Sequence, residues 1–404
     1  MAELKKELDF FDVCFYGIGL ILGAGIYVIL GEAAGLTGPS LVFAFIFAAL
    51  LAALTGLSYA ELSSIYPRGE AEYIYVRRAF ESKKLAEITA LFRILVGVIS
   101  SAAVALSFPG YLSTFIEVPE IPVAIGVVLV FSIVNYFGIN LSSKINIGFT
   151  LIELAGLVIV ISVGVGYWGS VDITETPFGS LGLVKSLFLI FFSYIGFESI
   201  VNVSEETKEA NKNIPKAIVV SLLITTFFYI LVAFSSVSIV DWQVLGKSTS
   251  PLSLVVGRVL GETGTFAISL IALFAITNTV LIILISTSRL LYGVSKKEYK
   301  SFPSFFSKIH SNRKTPYRAV AGTCALTIFF VLLGDIGLVA GLANFFLLIV
   351  FAIINLSLLK LRFKKIDREK TFKAPLNIGN ISITATSGFI SSLVLIIFYL
   401  NQLI

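Results

Sequence analysis

The sequence predicts an all-α integral membrane protein of about eleven transmembrane helices. Three observations predict it: a surplus of apolar residues, eleven apolar runs of bilayer length, and basic residues gathered in alternate loops. Of the 404 residues, 57% are hydrophobic and only 14% charged, with a mean hydropathy of +0.95. A soluble domain is about half apolar and about a quarter charged, so one water-soluble core could not hide this surplus and lipid must solvate it. The net charge of +5 would suggest a nucleic-acid partner only if basic residues shared a soluble face. They lie instead in short loops between apolar runs, and no such partner is expected. Cys14 and Cys324 fall in apolar segments without metal spacing, and His310 is the single histidine. No disulfide, metal site or cofactor is therefore expected. The first apolar run has no small-residue cleavage site, so it reads as a span and not as a cleavable signal peptide.

A helix crosses the roughly 30 Å hydrocarbon layer in about 20 apolar residues. Such runs occur near 10–36, 39–65, 85–110, 119–139, 143–168, 181–202, 216–240, 264–293, 317–334, 336–360 and 381–403. Positive charge in loops tests this count independently, because cytoplasmic loops collect Lys and Arg. With the N-terminus inside, the inside segments hold 25 of the 30 basic residues. These run from Lys5 and Lys6, through Arg68 to Lys84, Lys144 and Lys208 to Lys216, to Lys296–Arg318 and Lys360–Lys373. The outside loops hold only Lys185, Lys247 and Arg258. One wrong span in the middle would scramble the alternation. The expected protein is a multi-pass protein of the cell membrane, with a cytoplasmic N-terminus and an extracytoplasmic C-terminus.

Span one contains Gly17, Gly19, Gly23 and Gly25 within nine residues, and span six contains Ser193-Tyr194-Ile195-Gly196-Phe197-Glu198. Glycines also serve close helix packing in membranes. The pairing favours another reading. The two stretches lie five spans apart, and an odd offset reverses the direction of entry, as expected of two inverted five-helix repeats whose broken helices meet at a solute site. Backbone groups freed by such breaks need polar partners, because an unsatisfied amide in hydrocarbon costs several kcal/mol.

At these residues the chain resembles the amino acid–polyamine–organocation transporters, most closely the cationic amino acid transporter branch and its prokaryotic relatives. The resemblance rests on Gly23-Ala24-Gly25-Ile26-Tyr27 with Gly31-Glu32-Ala33-Ala34-Gly35, on Tyr59-Ala60-Glu61-Leu62, and on Glu72-Tyr73-Ile74-Tyr75. It continues in Tyr194-Ile195-Gly196-Phe197-Glu198, Asn213-Ile214-Pro215-Lys216-Ala217, Ser288-Arg289-Leu290-Leu291-Tyr292 and Thr315-Pro316-Tyr317. It implies the LeuT-type fold, with a first repeat over 1–168, a second over 169–360, and a loop with one extra helix over 361–404. It also implies alternating-access transport of amino acids. By that resemblance the substrate carboxylate rests on amides around Gly23, Ala24 and Gly25, where a helix N-terminus attracts an anion. Its ammonium rests on carbonyls near Ile21, Phe192, Ser193 and Ile195. Phe192 takes the aromatic gate position, and Gly97 and Ser101 line the side-chain pocket.

Ionisable residues in spans are candidate functional groups. Arg93 and Arg289 lie near span ends and are expected to snorkel. Glu198 is expected to brace the broken segment. Glu153 stands where several proton-coupled relatives carry a lysine. A carboxyl in low dielectric favours its neutral form and can take and release a proton. Glu153, with Thr277 or Asn278 nearby, is the expected proton-coupling site; a sodium ligand or a structural bond is the alternative. Cationic-transporter relatives commonly place a glutamate in helix three, and the matching stretch Ile94-Leu95-Val96-Gly97-Val98 has none, so the resemblance points to small or neutral amino acids. A polyamine carrier, an exchanger and a non-transporting sensor are the other readings. No intramembrane nucleophile–base pair suggests an enzyme. Oligomeric state is not encoded in any motif here.

Overall fold

A computed structural model describes every residue except 1–3, 297–301, 335, 365–370 and 404; Lys297, Lys300, Lys365, Arg368 and Lys370 of the predicted inside loops therefore lie outside the described residues. The fold is the predicted all-α membrane bundle. The first five spans are α1 (Phe10–Thr37), α2 (Leu41–Ile65), α4 (Lys83–Leu112), α5 (Glu120–Phe137) and α6 (Ile139–Gly164), with α3 (Ala71–Phe80) an extra short helix in the loop after α2. Span six is α7 (Gly179–Phe191), continued by 3₁₀ turns to Glu206. Then follow α8 (Ala210–Ile239), the four-residue α9 (Trp242–Leu245), α10 (Pro251–Val294), α11 (Tyr317–Val331), α12 (Ile336–Arg362) and α13 (Ile383–Leu403).

Among the described residues, ten helical stretches are long and apolar enough to cross a membrane, span six counting with its 3₁₀ continuation. The ninth span corrects the prediction of 317–334. Its helix α11 has 15 residues and rises about 22 Å, because the chain turns out at Gly334 with φ +73°. The last span starts at Ile383 because Ile381–Ser382 pairs with Asn377–Ile378 in a small antiparallel hairpin. The 44-residue α10 bends at Gly261, whose φ of +67° leaves the helical region, so the predicted span 264–293 is its second segment. Large apolar side chains such as Leu223, Phe227, Val130 and Ile397 are more than half exposed on the flanks, as a lipid-facing belt requires.

Contacts between loops support the span count. At the basic end, Leu8 bridges Thr207, and Lys208 N–H donates to the Leu8 carbonyl at 2.9 Å. Lys296 reaches Glu205 at 2.6 Å and Glu70 at 3.5 Å, and Lys364 reaches Glu81 at 2.6 Å. At the other end Phe178 packs edge-on against Trp242, and the α1 backbone at Gly35 touches Gly246. Segments assigned to one face do meet on one face.

Arg289 corrects the snorkelling expectation. It is 1% exposed and donates to both carboxylate oxygens of Glu206, at 2.9 and 3.2 Å, and to Asn135. Its guanidinium turns inward because the 3₁₀ segment brings a carboxylate to it. Glu61, inside span two, forms a second buried pair with Arg362 at the end of α12.

Candidate functional site

Both predicted interruptions are present. In α1 Gly23 leaves the helix with φ −30° and ψ −136°. In span six Ile195 is extended and Gly196 has φ +138°, a conformation that side-chain-bearing residues rarely adopt. The segment after it, Phe197–Glu206, stays 3₁₀ for ten residues, although 3₁₀ runs beyond three or four residues are uncommon. Side chains of other elements hold it. Arg93 donates to Glu198 at 3.2 Å and to Ser199 at 2.6 Å, Ser286 donates to Asn202 at 2.8 Å, and Arg289 clasps Glu206.

The breaks face each other. A Cβ on Gly25 would stand 2.7 Å from Ser193 Cα, so only a glycine admits this approach of the two backbones. Tyr229 of α8 joins them. Its hydroxyl bonds the Ile21 carbonyl and, at 2.9 Å, the Ser193 carbonyl, sharing one proton between oxygens freed by the two breaks. Glu198 accepts from the Gly196 N–H at 2.7 Å and so caps the break in span six while paired with Arg93. Arg93 is 2% exposed and also donates to Glu72 of α3 at 3.2 Å. It does not snorkel; two carboxylates fix it inside.

A cavity of about 30 Å³ lies between the breaks and α4, well below the roughly 300–1,000 Å³ of small-molecule pockets. Of the predicted substrate residues, Ile21, Gly25, Gly97, Phe192, Ser193 and Ile195 line it. Gly23 is the break itself and does not line the cavity, and the side chain of Ala24 lies outside the described residues. Ser101 does not line it either. The cavity face of α4 runs Arg93, Val96, Gly97, Ser100 and Val104, a helical stripe, and Ser101 stands one residue, about 100°, off it. The serine on the cavity face is Ser100.

A second polar cluster lies on the other side of α1. Glu153 of α6 is fully buried and accepts from Asn278 Nδ2 at 2.9 Å through Oε1, while Oε2 has no hydrogen-bond partner among the described residues. Asn278 also donates to Thr150, which donates to Asn146. Thr277 is not part of it. Its hydroxyl turns back to the Leu273 and Phe274 carbonyls of its own helix. The broken helix touches this cluster on both sides of the break. Before it, a Cβ at Gly19 would lie 2.1 Å from Thr150 Oγ1 and 2.7 Å from Asn278 Nδ2; after it, Tyr27 donates to the Glu153 carbonyl at 3.1 Å.

Sequence reasoning missed Tyr229, Ser100, Glu72 and Glu206. For Tyr229 a signal existed, a hydroxyl in the apolar run Thr226-Phe227-Phe228-Tyr229-Ile230. Its partners are backbone oxygens some 36 and 208 residues away, and no local pattern encodes them. Tyr229→Phe leaves two buried carbonyls short of a donor and is expected to cost about 1–3 kcal/mol of stability. An unchanged melting temperature in detergent would contradict the bridge.

The amino acid permease family model matches residues 8–403. A methylthioribose transporter of Bacillus subtilis is 29% identical over 399 residues, covering 92% of this chain and 85% of that protein. The branched-chain amino acid permease BcaP of the same organism is 28% identical, covering 92% and 84%. Cationic amino acid transporter 1 of Arabidopsis thaliana is 26% identical over 383 residues, covering 89% and 63%.

Proposed function

The chain belongs to the amino acid permease family, and from that premise we propose that it carries small neutral amino acids across its membrane by alternating access, driven by a proton exchanged at Glu153. The observation that supports this reading most is the meeting of the two breaks, with carbonyls of Ile21 and Ser193 on one hydroxyl beside a small cavity. The amides that restart α1 after Gly23 suit the carboxylate, since a helix N-terminus attracts an anion. The carbonyls at Ile21 and Ser193 keep a second lone pair each for the ammonium. Residues 1–168 and 169–360 serve as the two inverted halves, and the basic end faces the cytoplasm. The ionic groups beside the cavity, Arg93 and Glu198, bond each other and leave no free charge for a cationic side chain. The cavity is too small for a bound amino acid, so entry requires the broken helices to part from α4.

Glu153 suits coupling because the broken helix leans on its neighbourhood through both Gly19 and Tyr27. A proton gained or lost at its open oxygen is felt on both sides of Gly23.

A thermal-shift screen of the purified protein against amino acids, polyamines and methylthioribose tests the substrate class. A ligand at a hundred times its dissociation constant adds about 2.7 kcal/mol of stability. Small neutral amino acids are expected to raise the melting temperature and polyamines to leave it unchanged. Stabilisation by a polyamine or by methylthioribose, with none by any amino acid, would overturn the reading.

A further inference from the structure

We infer that the cavity, once the broken helices part from α4, selects amino acids whose side chain carries a hydroxyl, the threonine and serine class, and that Ser100 is the residue that reads it. This rests on the amino acid reading above and sharpens it.

Ser100 and Ser193 both line the cavity, are 4% and 1% exposed, and have Oγ atoms with no hydrogen-bond partner among the described residues. Serine and threonine in a helix ordinarily bond a carbonyl one turn back. On the same helix Thr89 donates to the Leu85 carbonyl and Ser107 to the Val104 carbonyl. Ser100 does not. A buried hydroxyl left this way is costly unless something completes it.

The two serines address different parts of a substrate. Ser193 stands at the break, where a Cβ on Gly25 would lie 3.1 Å from its Oγ, so it faces the ammonium–carboxylate end. Ser100 stands on the α4 stripe between Gly97 and Val104, the wall we assign to the substrate side chain. On α4 its neighbours in the lining, Val96, Gly97 and Val104, are apolar, and the Thr279 hydroxyl across the cavity is bonded to the Ala275 carbonyl at 3.0 Å. Arg93, one turn or more below, is satisfied by Glu72, Glu198 and Ser199. A valine side chain would bury the Ser100 hydroxyl without a partner, whereas threonine, of the same shape, would pair with it. A site built to bond a hydroxyl discriminates strongly against the analogue that lacks it.

Equilibrium binding of labelled threonine, valine and alanine to the purified full-length protein tests the assignment. Threonine is expected to bind at least about tenfold more tightly than valine, and Ser100→Ala is expected to bring that ratio near one. Valine binding as tightly as threonine, or a ratio unchanged in Ser100→Ala, would overturn the inference. Should the variant fail to fold, the wild-type ratio still decides. Alanine binding without a preference for threonine sinks this inference alone. Failure of every amino acid to bind sinks the substrate class with it.

Discussion

Glu153→Gln is expected to abolish proton-driven uptake into proteoliposomes, by roughly tenfold or more, while exchange of substrate across the same membranes continues. Glutamine matches glutamate in shape, so the bond from Asn278 to the 153 side-chain oxygen can persist. Its amide can also turn a donor toward Asn278 Oδ1, which has no partner among the described residues. What the substitution removes is the capacity to gain and lose a proton between the two halves of α1. Proton-driven uptake undiminished in the variant would remove Glu153 from the coupling role. Uptake by the wild type that follows a sodium gradient and ignores a proton gradient would reassign the cluster of Asn146, Thr150, Glu153 and Asn278 to a cation.

The second large effect concerns stability. Arg93→Met keeps much of the side-chain volume but leaves Glu72 and Glu198 without their shared counter-charge in a site where both are buried. Removing one partner of a buried pair costs about 3–5 kcal/mol, and the melting temperature in detergent should fall accordingly. The loss should extend to function. Glu198 holds the Gly196 N–H at the break, and a carboxylate freed from Arg93 no longer fixes that geometry. Lys212→Ala is the control, because its pair with Glu209 is exposed and exposed pairs contribute little. If the two variants melt alike, the Arg93 triad does not support the break.

The same triad explains why intramembrane charge was only half legible beforehand. Arg93 and Arg289 lie near the ends of predicted spans, where a long side chain ordinarily reaches water. Their carboxylate partners come from elsewhere: Glu72 from the loop helix α3, Glu198 and Glu206 from the 3₁₀ half of span six. Burial follows from that convergence, and a single span read by itself points the other way. Ser101 and Thr277 failed for a smaller reason. Ser101 is one residue from Ser100, which lines the cavity, and Thr277 one from Asn278, which bonds Glu153; one residue turns a helical side chain by about 100°.

By itself the sequence determined that the chain is an all-helical membrane bundle, which loops share a face, and where two helices break. Those properties are local: the length of an apolar run, the charge of a loop, and a glycine with no Cβ to oppose a kink. Only the tertiary structure decided that the breaks touch, that Tyr229 holds carbonyls of both, that Ser100 lines the cavity, and that one Glu153 oxygen has no partner among the described residues. Those depend on the rotation and neighbours of helices distant in sequence, and in lipid every buried polar group must find its partner through that packing.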